Sequence, residues 1–262
     1  MDTYTIQRAP DANPILVLDL SGNLVRSWGR GDFTLPHSLR IDRQGNVWAI
    51  DAGASKVIEY SSTGTKLFTS SIMPVPDTGS PFRGATDLAF APNGNVFITD
   101  GYGNSRVLEY TAKGRKVREW GHSGTEPGDF HFPHAIQISS AGTVYVADRE
   151  NGRIELFDLR GRYLRTFGKL GKCYALELHS GALWVTMGPR DQDPGTPGWL
   201  VKMDPKTGPC SGTFMCQINV PVMLSTCSAR ERSSRQQVPV SSFSRLKTEH
   251  RVVTDDNATY RD

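Results

Sequence analysis

No apolar run in the 262 residues approaches the roughly 20 needed for a helix to cross a bilayer, which argues against a membrane role. No stretch keeps a helical period either, so bundles and α/β layers are poor candidates. Cysteine is sparse: Cys173, Cys210, Cys216 and Cys227 all lie in the last third without a CxxC spacing, which reads as reduced thiols rather than disulfides. The net charge is only +3. Much of that excess sits beyond Arg230, and no basic face precedes it, which counts against a nucleic-acid partner. Met1-Asp2-Thr3-Tyr4 does not begin a basic and then apolar leader; at face value this reads as cytoplasmic, or secreted if the N-terminus is incomplete. Glycine is missing in one place only. All 26 lie at or before Gly212.

Before that point the chain is built from copies of one unit. Pro36 to Ile41, Val47 to Asp51 and Lys56 to Tyr60 form one set of short alternating segments. Ala85 to Phe90, Val96 to Asp100 and Arg106 to Tyr110 form the next. Phe132 to Ile138, Val144 to Asp148 and Arg153 to Phe157 form a third, and a looser copy runs from Cys173 to Met203. A fourth segment follows most sets, at Lys66–Phe68, Lys116–Trp120 and Tyr163–Phe167. Four short strands repeating every 40 to 50 residues or so are the mark of a propeller blade. Gly45-Asn46 and Gly94-Asn95 suit the tight turns between strands. The fold class is therefore all-β, a propeller.

The chain enters in mid-unit, because Thr5-Ile6-Gln7 matches a second strand and no inner strand precedes it. Blades are expected near 4–28, 35–69, 84–120, 132–167 and 173–219, within a propeller of residues 1–220. Residues 221–262 have no glycine and only Phe243 and Tyr260 as aromatics, which predicts a poorly ordered tail rather than a blade.

Three motifs carry a resemblance: Pro36-His37-Ser38-Leu39, Asp100-Gly101-Tyr102-Gly103-Asn104-Ser105-Arg106, and Ala147-Asp148-Arg149-Glu150-Asn151-Gly152-Arg153. Together they resemble NHL-repeat propellers, and more narrowly the peptidyl-α-hydroxyglycine α-amidating lyases, over about residues 5 to 205. The resemblance implies a six-bladed propeller with zinc near its central channel, held by histidines that match His37 and His134. It implies cleavage of the C–N bond of a peptide ending in α-hydroxyglycine, giving a peptide amide and glyoxylate. The family's active-site tyrosine falls on Tyr102, and its two active-site arginines fall on Arg8 and Arg149.

The repeat itself is consistent with that site. His37, Thr86, His134 and Tyr174 hold one position in successive units, so histidines occur in alternate blades. Three such imidazoles around one axis would make a tripod with an open fourth position, the form of a catalytic zinc. An arginine fork could grip the substrate carboxylate, and a tyrosine near the metal could take the hydroxyl proton. The third histidine should fall near Pro209 to Cys227, where the sequence has none, so the third zinc ligand is not identified.

Other readings stand beside these. His122 and His131 flank a glycine-rich loop and read as solvated. Asp51, Asp100 and Asp148 end equivalent strands, which suggests turn-holding rather than chemistry. Arg153 reads as an ion-pair bridge to Asp148 and Glu155, and the tryptophans as packing between blades. The alternative to a lyase acting on a small peptide is a non-catalytic NHL propeller that binds a protein or peptide partner, since propellers host both.

Overall fold

The computed structural model describes residues 3–9, 11–72, 80–168, 170–188 and 198–209, and the backbone of 214–218. These residues form five antiparallel sheets and no helix. Blade 1 is β1 (Thr3–Ile6), β2 (Ile15–Leu18) and β3 (Leu24–Trp28). Blade 2 is β4 (Pro36–Ile41), β5 (Val47–Asp51), β6 (Lys56–Tyr60) and β7 (Lys66–Ser71). Blade 3 is β8 (Asp87–Phe90), β9 (Val96–Asp100), β10 (Arg106–Tyr110) and β11 (Lys116–Trp120). Blade 4 is β12 (Pro133–Ile138), β13 (Val144–Asp148), β14 (Arg153–Phe157) and β15 (Tyr163–Phe167). Blade 5 is β16 (Lys172–His179), β17 (Ala182–Gly188), β18 (Gly198–Met203) and β19 (Phe214–Ile218). Blade 1 has three strands and the others four, and the predicted tail 221–262 lies outside the described residues.

Neighbouring blades meet through the inner strands β4, β8, β12 and β16, and blade 1, which has only three strands, meets β4 through β1. The second strands β5, β9 and β13 are buried along their whole length because blades cover both of their faces. That is why Val47 to Ile50 and Val144 to Ala147 read as unbroken apolar runs, while β7 and β11 at the rim alternate and face water. The core is a series of clusters between blades. Tyr4, Ile15 and Val17 pack on Leu39, Ile58 and Tyr60, and Phe97 and Val107 pack on Ile136, Val146 and Phe157. Each full burial of such a side chain contributes about 1.5–3 kcal/mol. Trp28 meets Tyr4 and Tyr60 edge-on, and Trp120 lies between Phe97 and Phe157. Trp184 instead sits under the Lys202 ammonium, 5.6 Å from its ring centre.

The turns follow their residues with one refinement. In Gly45-Asn46 and Gly94-Asn95 only the glycines take positive φ, at 83° and 85°. The asparagines serve the neighbouring strand: Asn46 donates to Glu59 at 2.9 Å and Asn95 to Glu109 at 2.6 Å. Asp51 accepts the amides of Thr34, Leu35 and Gly53, and Asp148 accepts that of His131 while pairing with Arg153 at 2.7 Å. Arg153 also lies 3.3 Å from Glu155 and donates to the carbonyls of Thr125, Glu126 and Asp129. It ties the 121–131 loop to blade 4.

A second set of bonds links blade to blade around the axis. Arg8 Nε donates to the Pro36 carbonyl at 2.8 Å, His37 Nδ1 to that of Thr86 at 2.7 Å, and His134 Nδ1 to that of Tyr174 at 2.8 Å. Thr86 Oγ1 lies 2.8 Å from the Pro133 carbonyl oxygen. Three residues further along β4 and β12, Arg40 reaches the Leu88 carbonyl and Gln137 that of Leu176. Arg40 also meets Asp87 at 2.5 Å.

Candidate functional site

The inner ends of the blades bring all five sequence-predicted residues into one cluster. His37 and His134 stand at the starts of β4 and β12, each after a proline that fixes φ and removes a donor at the strand entry. Both are buried, with ring centres 5.1 Å apart. Carbonyl oxygens only accept, so the bonds to Thr86 and Tyr174 place the proton on each Nδ1. Each ring then turns its Nε2 toward the Tyr102 hydroxyl. A carbonyl fixing the tautomer in this way is the usual setting of a metal-binding histidine.

Tyr102 enters between them from the loop after β9. Its hydroxyl lies 3.0 Å from His37 Nε2 and 2.9 Å from His134 Nε2. The loop can come this close because residue 101 is glycine: a Cβ there would meet the Pro133 carbonyl oxygen at 2.0 Å. The short Thr86 beside it leaves the axial space to the tyrosine ring. One phenolic proton faces two nitrogen lone pairs, so the Tyr102 hydroxyl can donate to only one of them at a time. A cation in that position would accept both. Burial, and then the Arg149 charge and His37, hold the His134 imidazole well below its usual pKa, which keeps it neutral as a ligand must be.

Arg149, on the loop after β13, points back over the same centre. Its guanidinium carbon lies 5.8 Å from the Tyr102 ring centre and 5.4 Å from those of Phe132 and Tyr174. Glu150 Oε1 takes its Nε at 2.9 Å, and Lys172 holds the other Glu150 oxygen at 2.6 Å. With Nε engaged by Glu150, the end of the fork is the part suited to a carboxylate. Arg8 is farther out. Its Nε holds the Pro36 carbonyl while its guanidinium carbon lies 5.8 Å from Phe82, whose ring in turn packs on Tyr102 at 4.8 Å and His37 at 6.3 Å.

Among the described residues no group of three or more His, Cys, Asp or Glu side chains is arranged to hold a metal. The expected position of the third histidine lies outside the described residues apart from Pro209 and the backbone of 214–218. His122, His131 and His179 are exposed, with the His131 ring 5.1 Å from that of Phe132, while buried Cys173 has its thiol pKa raised by desolvation and is inert. Residue patterns alone did not single out Phe82, Phe132 or Glu150. The one available signal was alignment: Phe132 occupies the position of Gly84 in the preceding blade.

Comparison with known proteins bears on the repeat, its fold and its relatives. The family model "NHL repeat" matches residues 130–157, which cover β12 to β14. Against the peptidyl-glycine alpha-amidating monooxygenase B of Xenopus laevis the chain is 37% identical over 153 residues, 55% of its own length and 17% of the relative's. Against the probable peptidyl-alpha-hydroxyglycine alpha-amidating lyase of Caenorhabditis elegans it is 34% identical over 149 residues, 55% of its length and 42% of the relative's. The chain therefore spans less than half of each of these two proteins. A streptogramin B lyase structure superposes with a TM-score of 0.58 at 19% identity, over 84% of this chain and 69% of that one, a likeness of fold alone. The chain folds as a β-propeller that carries an NHL repeat in blade 4. Over 55–58% of its length it is homologous to proteins named peptidyl-alpha-hydroxyglycine alpha-amidating lyases.

Proposed function

We propose that the chain is a lyase that cleaves the C–N bond of peptidyl-α-hydroxyglycine, releasing a peptide amide and glyoxylate, with zinc held by His37 and His134 and a third ligand not yet identified. The observation that carries this reading is the Tyr102 hydroxyl, held within 3.0 Å of two inward-facing imidazole nitrogens. Bound there, zinc would polarise the substrate hydroxyl as a Lewis acid.

The side chains supply the rest. The free end of the Arg149 fork receives the terminal carboxylate and sets the α-carbon against Tyr102. Tyr102 in its phenolate form takes the hydroxyl proton. As the C–O bond becomes a carbonyl, the C–N pair passes to nitrogen, which takes that same proton back from Tyr102 and leaves as the primary amide. Glyoxylate keeps the carboxylate and the new aldehyde, so atoms and charge balance. Phe82, its ring centre 4.8 Å from that of Tyr102, limits water around the reacting carbon. Arg8 braces blade 1 against His37's strand and adds positive charge near the carboxylate.

The test is glyoxylate release from α-hydroxyhippurate, with metal content measured after purification without chelators. Turnover with stoichiometric zinc is expected. Neither turnover nor metal in a folded chain would leave a binding propeller instead.

A further inference from the structure

Phe132 has φ of +56°, a left-handed conformation that is a true outlier for a bulky side chain. The repeat does not demand it. Gly84 holds the equivalent position in blade 3 with φ of +86°, where glycine bears no steric cost, and Leu35 in blade 2 does without a positive φ. Strain that the fold could avoid tends to persist where it serves a site.

The Phe132 carbonyl accepts the Arg149 amide at 3.2 Å, and the His131 carbonyl accepts that of Glu150 at 3.0 Å. These bonds hold the strained turn against the 149–150 loop. The first of them recurs in blades 2 and 3, where the amides of Ala52 and Tyr102 reach the carbonyls of Leu35 and Gly84 at 2.9 Å, so the ring contact is what sets Phe132 apart. The turn also swings the Phe132 ring under the Arg149 guanidinium, 5.4 Å from its carbon, and 6.2 Å from the Tyr102 ring. Glu150 restrains the same guanidinium at Nε. One residue therefore aligns the backbone and the charged end of Arg149 together.

We propose that Phe132 is a positioning residue: its ring, carried under Arg149 by the left-handed backbone, holds the guanidinium beside Tyr102 before substrate arrives. The consequence for catalysis rests on the lyase reading above; the positioning itself does not. Phe132→Gly keeps the backbone conformation and removes the ring, and Phe132→Tyr keeps a ring.

The Arg149 Nε–Hε resonance in NMR reads the restraint directly, assigned by its loss in Arg149→Lys. It should be sharp and slow to exchange in the native chain and in Phe132→Tyr, and broadened in Phe132→Gly. In the same variants KM for α-hydroxyhippurate should rise about 2- to 30-fold in Phe132→Gly, with kcat little changed. Phe132→Tyr should leave KM near the native value. Phe132→Gly should also melt above Phe132→Ala, because alanine retains the steric cost of positive φ. An Arg149 signal unchanged in Phe132→Gly overturns the proposal. A signal lost in Phe132→Gly from a chain that never releases glyoxylate upholds the positioning and sinks the lyase reading instead.

Discussion

Blades 2 and 4 begin with histidine where blade 3, between them, begins with threonine, and the three residues share one task. Each reaches a carbonyl on the next inner strand: His37 to Thr86, Thr86 to Pro133, His134 to Tyr174. Threonine does so and has nothing left over for the axis. Imidazole does so with Nδ1 and keeps Nε2 in hand, facing Tyr102. The difference teaches that the fold asks only for a donor at this position. The second nitrogen, turned to Tyr102, takes no part in that link.

Converting the histidine blades to the threonine kind should break the comparison most sharply. His37→Thr with His134→Thr is expected to abolish zinc uptake and lower glyoxylate release by about 10³-fold or more, since a metal supplies several kcal/mol to such a step. Melting should fall far less than in the double alanine variant, which also loses both donors. Equal melting of the two variants would show that the link between blades is unimportant.

Tyr102→Phe comes next. Loss of a general base lowers turnover by about 10²–10⁴-fold, and metal content should stay as it was. Turnover within a few-fold of native would remove Tyr102 from the chemistry.

Thr86→Val should do the opposite of the histidine changes. It leaves the Pro133 carbonyl short of a donor at a cost of about 1–3 kcal/mol, visible in denaturant melts, with zinc stoichiometry retained. Metal loss without destabilisation would contradict the division of labour.

The smallest effect concerns a buried carboxyl away from the axis. Burial raises Glu155 to about 7, against an ordinary 4.5. The folded chain therefore takes up a proton between pH 7 and 4.5 that the unfolded chain does not. Stability from this group is gained as pH falls through that window and is absent above it. Glu155→Gln should flatten the rise in melting temperature between pH 8 and 6, a change of about 2–4 °C. An identical slope in the variant would place the proton elsewhere.

Much of this was legible in the sequence because it repeats. Period-2 runs located the strands from β1 to β18, and the shared Pro-His entry located His37 and His134 with the right blade spacing. Tyr102 and Arg149 came from loop motifs, and the structure brings both to the histidines. Phe82, Phe132 and Glu150 were not legible. Their roles depend on where loops cross the axis and on a backbone angle that residue type argues against. Arg8 could be named but not its bond to Pro36, because a contact across 28 positions leaves no trace in local pattern.

Four links around the axis run one way, with the donor in the earlier blade and the acceptor in the later one: Arg8 to Pro36, His37 to Thr86, Thr86 to Pro133, His134 to Tyr174. A chain leaving the ribosome from its N-terminus thus presents each hook before its eye has been made. Every blade waits, unlatched, for the first strand of its successor, and translation itself becomes the order in which the wheel is fastened.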